Sequence, residues 1–183
     1  RTEQIKPILK RNRVMSDLII MECKHEGEAT ETGFENKIAC IAAQYAAEVP
    51  ITFDRTKGGR TAGVAVHKPV TVIKAVDKST PKLFESLCKA DSSMGDVKLH
   101  FLRQSGGKPE KYMTIELGEA MVAKLETFVP GDEQDDPTKN NVPLEKVAIS
   151  YKTIKFTYVP QKTDGSMGGN VQSGWDVIAN KSA

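Results

Sequence analysis

The sequence predicts a mainly β domain in which two sheets close into a barrel or sandwich, with one short helix beside them. Three observations carry that reading. Apolar and polar residues alternate in run after run, and turn residues separate the runs at regular intervals. One run changes parity in its middle: Val147, Ile149 and Tyr151 stand on odd positions, Ile154, Phe156 and Tyr158 on even ones. A change of face near Lys152-Thr153 requires a bulge or bend, as when a strand leaves one sheet for another. Finally, only Thr80-Pro81 gives a compact helix signal.

In order along the chain, residues 18–23 are apolar enough for a first strand. Residues 25–36 are polar, include Gly27 and Gly33, and read as a loop. Residues 38–53 are ambiguous by period, since their alanines favour helix while Ile38, Cys40 and Ile41 fit either repeat. Residues 54–63 hold Gly58, Gly59 and Gly63 with few apolar anchors and read as an exposed, adaptable loop. Strands at 64–66 and 70–73 flank Pro69, and a proline inside a strand pattern points to an edge or a bulge. Thr80 is placed to cap the helix and Pro81 to occupy its first position, with Leu83, Phe84 and Leu87 on one apolar face.

Beyond the helix, Val97, Leu99 and Phe101 alternate with Lys98 and His100, which puts His100 on the solvent side. A turn at 105–109 leads into a strand over 112–117, which is hairpin grammar, and a further strand covers 121–129. Residues 131–143 are acidic, hold two prolines, and read as a solvated loop. After a turn at 165–169, residues 175–178 offer the last strand.

The length of 183 residues suits one domain. Of 26 basic and 24 acidic residues, the first fourteen positions hold five and one, which leaves 21 and 23 for the rest. The positive balance therefore sits in residues 1–14, read as a non-core basic extension ahead of a natural start at Met15, upstream-translated or appended. The domain itself, 15–183, is slightly acidic, which argues against a nucleic-acid partner. No run approaches the ~18 apolar residues that span a bilayer, so no membrane insertion is expected. Cys23, Cys40 and Cys88 are odd in number and far apart, so they read as free buried thiols of a protein folded in a reducing cytoplasm.

Catalytic and cofactor motifs are incomplete wherever they begin. The spacing Gly58 to Gly63 opens like a phosphate-binding loop, but Val64 stands where its lysine belongs. His25-Glu26-Gly27-Glu28 is not a zinc-helix motif, and no G-x-S-x-G elbow occurs. Neither an enzyme nor a cofactor or metal site is expected.

The order of several motifs resembles the haemolysin-coregulated protein (Hcp) family, the ring-forming tube subunits of type VI secretion systems. The resemblance runs through Val66-His67-Lys68-Pro69, Asp77-Lys78-Ser79-Thr80-Pro81, Val97-Lys98-Leu99-His100 and Pro143-Leu144-Glu145-Lys146-Val147. It continues through Tyr158-Val159-Pro160-Gln161-Lys162-Thr163-Asp164-Gly165 and Gly174-Trp175. It favours strand over helix for 38–53 and implies a two-sheet β-barrel flanked by a helix and closing into a homo-hexameric ring. Rings of that family stack inside a contractile sheath under a VgrG spike, and the expelled tube carries effector proteins in its lumen. The implied location is cytoplasmic before firing and secreted afterwards, without a signal peptide. Arg55, Thr56, Lys57, Gly58, Gly59, Arg60 and Gly63 resemble the extended loop between stacked rings, and Gln44 falls at a lumen-facing, effector-contacting position. His67, Lys68 and Pro69 read as a structural strand-edge motif. The competing reading is a monomeric β-barrel that binds a ligand or acts as a secreted effector; with aromatics at only 6% and a single Trp, it lacks material for a binding cleft.

Overall fold

The structure, a computed structural model, describes residues 18–54, 58–105, 108–129, 142–162 and 166–183. The basic extension 1–14 lies outside the described residues, as does the acidic stretch at 132–136. Short strands open the chain: β1 (Leu18–Glu22), β2 (Ile38–Cys40), β3 (Ala42–Gln44), β4 (Ala47–Glu48), β5 (Ile51–Asp54), β6 (Gly59–Ala62), β7 (Val66–His67) and β8 (Val70–Ala75). Helix α1 (Thr80–Lys89) follows, then β9 (Val97–Ser105), β10 (Lys108–Gly118), β11 (Met121–Phe128), β12 (Leu144–Ser150), β13 (Thr153–Tyr158), β14 (Val171–Asp176) and β15 (Lys181–Ser182).

Two antiparallel sheets enclose the core. The larger has seven strands in the order β15-β14-β13-β10-β9-β1-β2, the smaller four in the order β11-β12-β8-β3. The chain turns from one sheet into the other at Ile41, between β10 and β11, and at Tyr151-Lys152. The parity change read from the sequence is the last of these corners. At the second, Gly118 packs so closely that a Cβ would run into the Thr153 hydroxyl. Between the sheets lie Met21, Ile38, Val70, Val72, Leu99, Leu117, Val147, Ile149 and Ile154, all buried. Complete burial of one such side chain contributes roughly 1.5–3 kcal/mol.

Residues 38–53 are strands, as the family resemblance favours, but several local expectations need correction. Thr80 is the first residue of α1 and Pro81 the second, while Ser79 holds the cap position without a side-chain cap bond. The Thr80 hydroxyl accepts instead from the Asp77 N–H at 3.2 Å, and Asp77 Oδ1 accepts from the Ser79 N–H at 2.8 Å. Leu83 and Leu87 face the core, whereas Phe84 is exposed, because the helix rests on β11 through Leu83 and the small Ser86. His100 is buried: it lies opposite Ile20 in the ladder, on a face that Ala29 and Phe34 of the 25–36 loop cover. Cys88 is exposed on the outer side of α1, unlike buried Cys40. The last long strand is 171–176; Val177 and Ile178 belong to a turn and β15 follows.

Candidate assembly surface

Where the sequence suggests a loop over 54–63, the chain forms an antiparallel arm. β4 pairs with β7, setting Ala47 opposite His67 and Glu48 opposite Val66. Further out β5 pairs with β6, from Ile51 opposite Ala62 to Asp54 opposite Gly59. The residues Ile51, Thr52 and Phe53 are strong strand formers, and Gly58, at φ +64°, supplies the left-handed conformation that a tight return needs. Between the two ribbons, Val49 and Pro50 face Gly63, Val64 and Ala65, so the register slips by one and the arm kinks. There the Gly63 N–H donates to the Pro50 carbonyl at 2.9 Å.

The arm leaves apolar surface uncovered. Phe53 is 69% exposed, and Val49, Ile51, Val64 and Val66 are exposed along the same arm. Among the described elements β5 and β6 pack chiefly on each other. Exposed apolar residues gathered on one arm point to an interaction site rather than a stable free face. Arg60, opposite Phe53, is exposed beside it. Gly58, Gly59 and Gly63 sit in the described part of the arm, while Arg55, Thr56 and Lys57 lie outside the described residues.

His67, Lys68 and Pro69 form the root of this arm. His67 Nδ1 shares a 3.1 Å hydrogen bond with the Tyr45 hydroxyl, and its ring meets Tyr151 edge-on, centroids 6.4 Å apart. The Tyr151 hydroxyl donates to the Lys68 carbonyl at 3.2 Å, and burial, with Tyr45 beside it, pushes that phenol above its usual pKa. Tyr45 in turn packs on Phe156, centroids 5.2 Å apart. Lys68 pairs with Glu48 at 2.9 Å. Pro69 then separates β7 in the arm from β8 in the barrel. The root is thus tied to the corner where β12 becomes β13.

Gln44 is exposed on β3, opposite Thr71, and faces away from the core. Thr80 and Pro81 are remote from the arm and organise the start of α1. Sequence reasoning missed two polar clusters. Lys74 and Glu145 are fully buried together at that helix start. Glu22 accepts from Lys37 at 2.8 Å and lies 3.0 Å from His100 Nε2, which holds its carboxyl at about 2. The signal for the first lay on the page, since Lys74 shares the inward parity of Val70 and Val72.

Residues 14–158 match the family model described as type VI secretion system effector, Hcp. The chain is 32% identical to Protein hcp1 of Pseudomonas aeruginosa over 111 residues, which span 60% of this chain and 64% of that one. It is 28% identical to the Major exported protein of the same organism over 141 residues, 76% of this chain and 79% of the other. Among solved structures, one described as a type six secretion system protein superposes with a TM-score of 0.79 at 21% identity, covering 91% of this chain and 99% of that one. Hcp1 from Salmonella typhimurium gives 0.70 at 19% identity, covering 92% and 100%. A two-sheet barrel with one flanking helix, an arm rooted at His67-Lys68-Pro69, and a family match over residues 14–158 together make this chain a member of the Hcp family of type VI secretion system proteins.

Proposed function

We propose that this protein is a tube subunit of a type VI secretion system, closing into hexameric rings that stack, leave the cell, and carry effectors in their lumen. The family match over residues 14–158 carries this reading. The arm supports it: stacked rings need a surface that the next ring covers, and the exposed Ile51, Phe53 and Val64 supply one. In this reading Arg55 to Gly63 contacts the next ring, Gln44 faces the channel, and His67-Lys68-Pro69 fixes the direction in which the arm leaves the barrel. Helix α1, begun at Thr80-Pro81, lies on the outside toward a contractile sheath, and a VgrG spike caps the stack. Among the described residues no helix is long and apolar enough to cross a membrane.

Light scattering tests the assembly. A ring has six times the 20.0 kDa of one chain, and negative-stain images should show closed rings with an open centre. A stable monomer across micromolar concentrations would overturn the proposal.

A further inference from the structure

The outward face of the four-stranded sheet carries a groove whose construction is visible in its register. Thr71 of β8 lies opposite Ala148 of β12 and Gln44 of β3; two residues along, Ile73 lies opposite Lys146 and Ala42. Strands stand about 4.8 Å apart, so small side chains at 42, 71 and 148 leave a trough beside the longer Gln44 and Lys146. Two depressions, of about 270 and about 110 Å³, share Gln44 and Thr71. Lys68 borders the first and Lys146 the second.

Among the described residues no carboxylate lines either depression. Lys68 is already occupied by Glu48. Lys146 stands opposite Glu126 in the ladder, but Glu126 is taken by Lys124 at 2.6 Å. Among the described residues, then, Lys146 is an exposed cation with no ion-pair partner. Among the described residues no aromatic side chain lines the groove to offer a platform on which nucleic-acid bases stack. A long apolar side chain finds little depth among alanines.

We propose that this groove receives an extended acidic segment of a cargo protein, with Lys146 pairing a carboxylate and the Gln44 carboxamide bonding the cargo backbone. The inference rests on the reading of this face as the inner wall of a ring, where six copies of Lys146 would surround one channel. A single exposed pair is weak, and repetition around the ring gives it weight.

The test uses the full chain and three fluorescent eight-residue peptides with blocked termini, alternating Thr with Asp, Lys or Ser. Anisotropy should show the Asp peptide bound most tightly, more weakly as salt rises. Lys146→Glu should weaken it roughly fivefold or more and turn the preference toward the Lys peptide. Lys146→Met, which avoids placing two carboxylates opposite each other, should abolish the preference without reversing it. Equal binding of the Ser peptide, indifference to both variants, or tighter binding of an eight-residue oligothymidylate would overturn the proposal. Light scattering on the same samples separates the two readings. Rings that bind no acidic peptide sink the groove alone. A monomer that binds the Asp peptide through Lys146 keeps the groove and sinks the ring.

Discussion

Lys74 and Glu145 stand opposite each other in the β8–β12 ladder, both wholly withdrawn from solvent, with Nζ 2.5 Å from Oε1. The same ammonium reaches Asp77 Oδ1 and the Ala75 carbonyl, each at 2.8 Å, and the Thr80 hydroxyl donates to Glu145 at 3.0 Å. One ion pair therefore joins two strands to the start of α1. Glu145 Oε2 has no hydrogen-bond partner within the described chain, which makes the site sensitive to any loss of charge balance.

Removing Lys74 leaves Glu145 buried and unpaired, at a cost of about 3–5 kcal/mol, whereas removing Glu145 leaves Lys74 its Asp77 partner. Lys74→Met should lower the urea midpoint accordingly, and Glu145→Gln should lower it by less, because Asp77 still pairs the ammonium. The double variant Lys74→Met with Glu145→Leu should regain part of the Lys74→Met loss, because Asp77 alone then keeps a charge without its lysine. Single variants within about 1 kcal/mol of wild type would show that the pair does not hold this corner.

The root of the arm should behave as one unit. His67→Ala and Tyr45→Phe each remove the same hydrogen bond and should each cost ~1 kcal/mol, with the double variant costing less than the sum. Denaturant unfolding of the four proteins measures that coupling. If His67→Ala kept full stability yet abolished rings, the histidine would belong to an interface between subunits instead.

Acid should destabilise the fold in two stages. Burial lowers the His100 pKa below 6.5, with Lys111 and Lys98 adding to the effect and the Glu22 bond opposing it. The unfolded chain therefore binds a proton that the folded chain resists, and stability present above pH 6.5 is lost as pH falls below it. His25, lowered by burial and by Lys24 and Lys82, acts in the same direction. Glu22, held at about 2 by Lys37 and His100, then loses its contribution as pH falls from about 4.5 toward 2. Urea midpoints between pH 7.5 and 5 should slope downward, and His100→Gln should flatten the slope. An unchanged slope in that variant would assign the effect to His25.

The three thiols should separate by reactivity. Burial pushes Cys40 up to about 12 and raises Cys23, whereas Cys88 is exposed on α1. A thiolate-directed reagent should modify one cysteine quickly in the native protein and all three after denaturation. Rapid native modification of Cys40 would mean that the barrel opens there.

How far the sequence reveals this molecule depends on the range of each cause. The corner at 151–152 was legible because inward residues switch from odd to even positions, a local fact. Lys74 and Glu145 were legible in principle: each lies on the buried parity of its strand, beside Val72 and Val147, and a charge there demands a partner. His100 was not, since period-two alternation cannot show that a loop some seventy residues earlier folds over the opposite face. Residues 54–63 read as a loop because their glycines outweigh the short strand-forming run before them. The groove at Gln44 and Lys146 depends on pairing three strands distant in sequence, so neither residue could be placed beside the other from its own neighbourhood.

The arm gives the sharpest test of assembly, because charge and apolar contact can be told apart there. Phe53→Ser removes a side chain that buries little within one chain, so the urea midpoint should stay within about 0.5 kcal/mol of wild type. Tubes should nevertheless shorten or vanish under the electron microscope at every salt concentration. Replacing Lys57 and Arg60 with Glu should also impair stacking while single rings persist, but by a different cause. Exposed charges are screened over about 8 Å at physiological ionic strength and about 3 Å at 1 M salt. The charge variant should therefore approach wild type as salt rises, and Phe53→Ser should not. Tubes of normal length from both variants at low salt would mean that the arm does not join rings.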